Sequence, residues 1–133
     1  MTQRLRFRST QREQLIDITN TIREHVGKSG VAHGVAHLWS LHTTCSLTVN
    51  EGADPDVKAD MVSFLGDLIP VDGNFDHAEG NSDAHLKTSL FGPGLTLLIE
   101  NGEPLLGTWQ SIYLAEWDGP RERTIAIQIV AAS

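Results

Sequence analysis

Between His77 and His85 the chain sets two imidazoles, two acids (Glu79 and Asp83), the amide of Asn81 and one glycine, with Asp76 just before and Lys87 just after. Such a composition does not build a core, because every buried charge or amide needs a partner. It suits either a solvated loop or a polar site. Two other stretches, His42-Thr43-Thr44 and Trp117-Asp118-Gly119-Pro120-Arg121, are also polar where an unremarkable sequence would be apolar.

Metal ligation is the first chemistry these groups allow. Imidazoles eight residues apart do not share a helix face, so His77 and His85 converge only if the segment folds back, which Gly80 permits. A third nitrogen could come from His42. Three protein ligands with a fourth position open describe a catalytic zinc site. Glu51 or Glu79 would then serve as base or ligand, and Asp76 or Asn81 would orient an imidazole. His42, His77 and His85 take part in no compact H-x-x-x-H spacing and the single cysteine allows no C-x-x-C, so a plain polar loop stands as the alternative. His25, His33 and His37 read as surface or strand-edge histidines.

Anion binding is the second. Thr43 and Thr44 offer hydroxyls and backbone N–H groups, and Arg121 brings a guanidinium beside a tight turn, a combination suited to phosphate. Alternatively the threonines are strand residues and Arg121 pairs with Glu116 or Asp118. Cys45, lying beside Leu47 in a strand pattern, reads as a small packed hydrophobe in preference to a nucleophile. Trp109, Trp117 and Tyr113 fall in late strands and read as packing.

The 133 residues fit one domain with a core of its own, and 40% hydrophobic with 20% charged residues are globular values. No apolar run is long enough to span a bilayer. The basic start, Met1 to Arg8, leads into no apolar stretch; with a single cysteine, this gives the expectation of a cytoplasmic protein. A net charge of −7 argues against a nucleic-acid surface. The acids concentrate in residues 51–123, which carry fourteen of them against four basic groups, whereas residues 1–30 carry six basic and three acidic. A solvated acidic face accounts for that asymmetry; collection of a metal or a cationic substrate is the other reading.

The elements that must position these groups follow from pattern. Leu5 to Ser9 alternates as a strand. Asp17 is placed to cap a helix carrying Ile18, Ile22 and Val26 and ending near Gly30. Gly34 to Leu41 reads as a strand with Val35, His37, Trp39 and Leu41 on one row, and Cys45 to Glu51 as another with Leu47 and Val49 inward. Asp54-Pro55-Asp56 opens a helix with the apolar stripe Val57, Met61, Phe64, Leu65 and Leu68. His85 to Phe91 is a short helix stopped by Gly92-Pro93. Strands follow over Leu95–Glu100, Thr108–Glu116 and Arg123–Val130. The expected fold is a single compact α+β domain, residues 1–133, with largely antiparallel sheets and a few helices on one side.

Taken in order, His42-Thr43-Thr44, Asn50-Glu51, Asp54-Pro55-Asp56-Val57, Asp60, Pro70, His77, Asn81, Ala84-His85-Leu86-Lys87, Gly92, Leu106-Gly107-Thr108-Trp109-Gln110, Glu116 and Asp118-Gly119-Pro120-Arg121 with Arg123 resemble the YjbQ-like family over nearly the whole chain. The resemblance implies a compact α+β unit rich in antiparallel strands, a homotrimer, and secondary thiamine-phosphate synthase activity. It implies a polar pocket holding His42, His77 and His85, with a metal in some members. Cys45 departs from the small residue, such as alanine, usual at its position.

That reaction joins a pyrimidine carried on pyrophosphate to a thiazole phosphate, and its leaving group needs cationic stabilisation. Arg121, Arg123 and Lys87 would supply it, with Thr43 and Thr44 holding phosphate and Glu51 acting as base. Three histidines favour zinc, whereas phosphate chemistry favours magnesium. The competing expectations are a metal- or metabolite-binding protein without catalysis, and a metal-dependent hydrolase.

Overall fold

The computed structural model describes residues 2–133. The elements, in chain order, are β1 (Thr2–Arg8), β2 (Gln14–Asp17), α1 (Thr19–Ser29), β3 (Gly34–Ser40), β4 (Cys45–Glu51), α2 (Pro55–Leu68), α3 (Ser82–Phe91), β5 (Gly94–Glu100), β6 (Glu103–Pro104), β7 (Gln110–Glu116) and β8 (Glu122–Ala131). Five strands form one sheet in the order β1-β8-β3-β5-β6, and three form a second in the order β2-β7-β4. Every pairing is antiparallel, as expected for an α+β domain of this pattern.

Strand alternation sorts the side chains into two cores. From the five-stranded sheet, Leu5, Ala36, Leu38, Leu97, Ile99, Ile125 and Ile127 meet Cys45, Leu47, Ile112 and Leu114 of the three-stranded sheet. The opposite face of the smaller sheet presents Leu15, Tyr113, Ala115 and Trp117 to Leu65 of α2 and Ala84 of α3. The small sheet is therefore buried on both sides, and its strand β7 is apolar on both rows. Two helices lie on one side, as expected. The first helix departs from that arrangement, because Ile22 and Val26 of α1 enter the core between the sheets.

Local signals set the helix ends. Asp17 closes β2 instead of capping the helix directly, yet its carboxylate accepts the Thr19 N–H at 2.9 Å and the Thr19 hydroxyl at 2.6 Å. Gly30 ends α1 in the left-handed region at φ 72°. Asp54 caps α2 by accepting the Asp56 N–H at 2.9 Å, with Pro55 as the first helical residue. Along the expected stripe of α2 only Leu65 is buried, while Phe64 and Leu68 are exposed. The third helix begins at Ser82, three residues before the start expected from sequence. Its buried residues are Asp83, Ala84, Lys87 and Thr88, a polar set that no apolar periodicity could reveal.

On β3 the inward row is Ala36, Leu38 and Ser40, so the row holding Val35, His37 and Trp39 faces outward. Trp109 was read as packing but is exposed, whereas Trp117 and Tyr113 are buried. No helix among the described residues is long and apolar enough to cross a membrane.

The two-core arrangement predicts a contrast between Leu114, fully buried, and Leu90, exposed on α3. Leu114→Ala should cost about 2–5 kcal/mol by urea denaturation, and Leu90→Ala about 0.5 kcal/mol or less. Equal losses would contradict the assignment of faces.

Candidate functional site

The site is built on the hinge between β3 and β4 and on the hinge between β7 and β8. Ser40, buried at the end of β3, donates to the Cys45 carbonyl at 2.8 Å and accepts the His42 N–H at 3.3 Å. The Leu41 N–H donates to the Thr124 carbonyl at 3.3 Å. The Thr124 N–H in turn donates to His42 Nε2 at 2.8 Å. An Nε2 that accepts a hydrogen bond carries no proton, so the neutral ring keeps its proton on Nδ1. Burial holds the His42 pKa below its ordinary value, and the positive charges of Arg123 and Arg121 add to that, against the opposing pull of Glu116.

Beneath His42 lies a buried ion pair. Arg123 Nε donates to Glu116 Oε1 at 2.8 Å, and its Nη2 reaches Glu116 Oε2 as well as the Thr44 carbonyl and hydroxyl at 3.1 and 2.9 Å. The Glu116 carboxylate also accepts the Ser9 hydroxyl at 2.7 Å and the Asp118 N–H at 3.0 Å. Burial opposes its ionisation, but the hydrogen bonds from Arg123 and Ser9 overcome this and hold its pKa below the usual range. The expected phosphate roles of Arg123 and Thr44 are corrected by this geometry. Arg123 is 1% exposed and its guanidinium is committed to Glu116 and Thr44.

A second buried cluster supports α3. Lys87, fully buried, donates to Asp83 at 3.0 Å and Glu13 at 3.3 Å, with its ammonium 5.8 Å from the Trp117 ring centroid. Arg12 holds Asp83 bidentately at 2.9 and 3.0 Å. Desolvation disfavours the Asp83 carboxylate, yet the Arg12 and Lys87 hydrogen bonds keep its pKa below the ordinary value. Lys87 is likewise corrected from phosphate ligand to internal brace. The Asp83–Lys87 spacing of four on one helix face was the only sequence signal for this pair.

The remaining groups form the site proper. His42, Thr43 and His85 line one groove of about 590 Å³, together with Trp39, Ser40, Leu41, Thr88, Ser89 and Pro93. His85 also borders a neighbouring depression of about 430 Å³ with Asp76 and His77. The His77 and His85 rings stand edge to face, with centroids 5.6 Å apart, and His77 Nε2 is 3.8 Å from the Glu79 carboxylate. Asn81 orients no imidazole; its Nδ2 donates to Asp118 Oδ2 at 2.8 Å. Arg121 is exposed and 3.4 Å from Asp118.

Glu51 lies elsewhere. It ends β4, whose seven residues run roughly 20 Å at about 3.3 Å each. There its carboxylate accepts the Ala53 N–H at 2.9 Å. Within one chain it cannot serve as base at the histidine groove. Cys45 is fully buried, and desolvation pushes its pKa up to about 12, which removes it as a nucleophile.

A three-histidine metal centre does not fit the placement of these side chains. His42 Nε2 is occupied by a backbone N–H. Among the described residues, no group of three or more His, Cys, Asp and Glu side chains is gathered to hold a metal ion. His25 and His37 engage Gln3 and Thr96 at 3.1 Å, away from the groove. Sequence reasoning passed over Trp39 and Thr88 as site residues. Thr88 is 6% exposed and its hydroxyl finds no hydrogen-bond partner among the described residues.

The family described as UPF0047 protein YjbQ-like matches residues 3–132. The chain belongs to the YjbQ-like UPF0047 family. A UPF0047 protein of Methanocaldococcus jannaschii is 49% identical over 124 residues, covering 93% of this chain and 90% of that protein. YugU of Bacillus subtilis is 41% identical over 131 residues, covering 98% and 99%. Among solved structures, a YjbQ/UPF0047 family protein of Clostridium acetobutylicum superposes with a TM-score of 0.93 at 44% identity, covering 96% of this chain and 98% of that one. A YbjQ-like protein of Sulfolobus solfataricus gives 0.94 at 27% identity, covering 99% and 97%.

The His42 hydrogen bond predicts a titration. With a folded-state pKa below 6.5, the unfolded chain takes the proton first, so stability is present above about 6.5 and falls as pH drops toward the lower folded value. The His42 ring resonances should titrate below 6.5 by NMR, and His42→Gln should flatten the acid-side loss of stability. A midpoint above 6.5 would overturn the assigned tautomer and its Thr124 bond.

Proposed function

We propose that this YjbQ-like protein is an enzyme acting on a phosphorylated small molecule at the His42–His85 groove, with thiamine-phosphate synthesis as its reaction. The observation that carries this reading is the shared groove: a neutral imidazole with Nδ1–H available, a second imidazole and the exposed Thr43 hydroxyl line one space. Arg121 is exposed, and its charge acts on His42.

In that reaction the bond from the pyrimidine methylene carbon to pyrophosphate oxygen breaks, its electron pair leaving with the oxygen. The thiazole nitrogen supplies the pair for the new C–N bond. Arg121, Thr43 and the His42 Nδ1–H meet the charge that grows on pyrophosphate, and His85 acts as the general acid, giving a proton to the departing pyrophosphate oxygen. Arg123 and Lys87 hold the scaffold. A divalent metal, when bound, would neutralise the leaving pyrophosphate; the residues described as placed assemble no three-ligand set for it, so the roles here belong to the chain's own side chains.

His85→Ala should lower turnover by about 10²-fold or more, measured as thiamine phosphate formed from the pyrimidine pyrophosphate and thiazole phosphate. Arg121→Ala should lower kcat, because its contact strengthens as charge grows on the leaving group. Unchanged turnover in His85→Ala would reject the site, and no product from the wild-type protein would reject the reaction.

We further propose a homotrimer. Phe64 and Leu68 on α2, Leu98 and Val130 on the outer face of the larger sheet, and Leu105 just after β6 remain exposed, apolar side chains that contact between subunits would cover. Light scattering should give a mass three times the 14.6 kDa chain, independent of concentration; a monomer mass would refute this.

A further inference from the structure

The groove has a wall that the phosphate reading does not use. Trp39 is 54% exposed although it is a large aromatic side chain on a strand whose neighbouring residues Leu38 and Ser40 are buried. Its position is fixed from one edge. A Cβ on Gly94 would stand 2.8 Å from Trp39 Cε3 and 3.0 Å from Cζ3, so the benzo edge of the indole rests on the bare glycine backbone. Trp39 lines the groove together with Leu41 and Pro93.

Among the other residues lining the groove is Thr88. The residue is nine-tenths buried and its hydroxyl has no partner among the described residues, which is rare because folding removes water from such a group without replacing it. The α3 backbone around Thr88 is otherwise committed, its carbonyl accepting the Gly92 N–H at 2.8 Å. An anchored aromatic side chain and a threonine whose hydroxyl lacks a partner therefore line one space with His42 and His85.

We propose that Trp39 and Thr88 select the ligand of this groove, a flat ring bearing a phosphate: the indole stacks on the ring and the Thr88 hydroxyl bonds a polar substituent or a phosphate oxygen. The inference rests on the phosphate reading given above. An aliphatic phosphate would gain the His42, Thr43 and Arg121 contacts but leave the indole uncovered. Trp39 and Thr88 are positioning residues; neither is assigned a part in bond making.

The test is equilibrium binding of phenyl phosphate, propyl phosphate and inorganic phosphate, followed by calorimetry with the full chain. Phenyl phosphate should bind about tenfold more tightly than propyl phosphate, the size of one stacking contact. Trp39→Ala should bring the two to parity while inorganic phosphate is unaffected. Thr88→Val should leave the melting temperature unchanged or raised, since no bond is lost in the free protein, yet weaken phenyl phosphate by about fivefold. If phenyl and propyl phosphate bind equally and Arg121→Ala weakens both, the aromatic platform is overturned and the phosphate site stands. If none of the three binds, both fall. A Thr88→Val chain that melts lower but binds normally would show a structural hydroxyl and overturn its part.

Discussion

The Glu116 carboxylate is the constraint on which the rest of this structure depends. It sits at the end of β7 with no access to water, and four donors converge on it: Arg123 Nε and Nη2, the Ser9 hydroxyl and the Asp118 N–H. Those donors come from three separate parts of the chain, so a single buried charge fixes the end of β1, the β7–β8 turn and the start of β8 against one another. Thr44, which takes the remaining reach of Arg123, adds the β3–β4 hinge. Removing one partner of such a pair leaves a buried charge uncompensated, at a cost of about 3–5 kcal/mol. This is why the geometry around His42 is rigid: the Thr124 N–H that orients its ring is next in sequence to Arg123.

The Asp83 cluster does the same for the other wall. Arg12 reaches Asp83 from the β1–β2 connection, and the Gly119 N–H ties that connection back by donating to the Arg12 carbonyl at 2.9 Å. Gly119 has no room for a side chain there, since a Cβ would fall 2.3 Å from the Gln11 carbonyl oxygen. Lys87 then pins α3 to the β1–β2 connection through Glu13. His85, two residues away on the same helix, inherits its placement. Two buried charge clusters, one under each imidazole, therefore define the groove between them.

Much of the fold was legible in the sequence, and the reason is period. Strands β4, β5, β7 and β8 announce themselves by runs of branched and aliphatic residues, and α2 by Asp54-Pro55. What stayed hidden was set by partners distant in sequence. The short strand β2 has only Gln14 to Asp17 and exists because β7 offers it an edge. The start of α3 was obscured because its buried face is Asp83, Lys87 and Thr88. The site followed the same rule. Polar stretches pointed to the regions of His42, His85 and Arg121, but a charged side chain in sequence carries no mark of whether it faces solvent or a buried counterion. Lys87, Arg123 and Thr44 looked available and are not; Glu51 looked adjacent and lies at the far end of β4. Trp39 gave no signal, because an aromatic in a strand is ordinarily core.

The acidic balance of the chain has a consequence for how the groove can handle an anion. Arg12, Lys87 and Arg123 are each held by carboxylates, and Arg121, the exposed cation among the described residues whose charge acts on His42, is itself shared with Asp118. His42 adds none, because its surroundings disfavour the protonated ring. A strongly cationic pocket would take any phosphate; this one offers mainly neutral donors, the His42 Nδ1–H and the threonine hydroxyls, which are directional and short in reach. Neutral donors contribute roughly half the strength of charge-assisted ones, so affinity must come in good part from the remainder of the ligand, and the groove's apolar wall of Trp39, Leu41 and Pro93 is where that remainder would lie. Scarcity of free charge and exposure of an anchored indole are thus two sides of one arrangement, in which shape decides what the imidazoles meet.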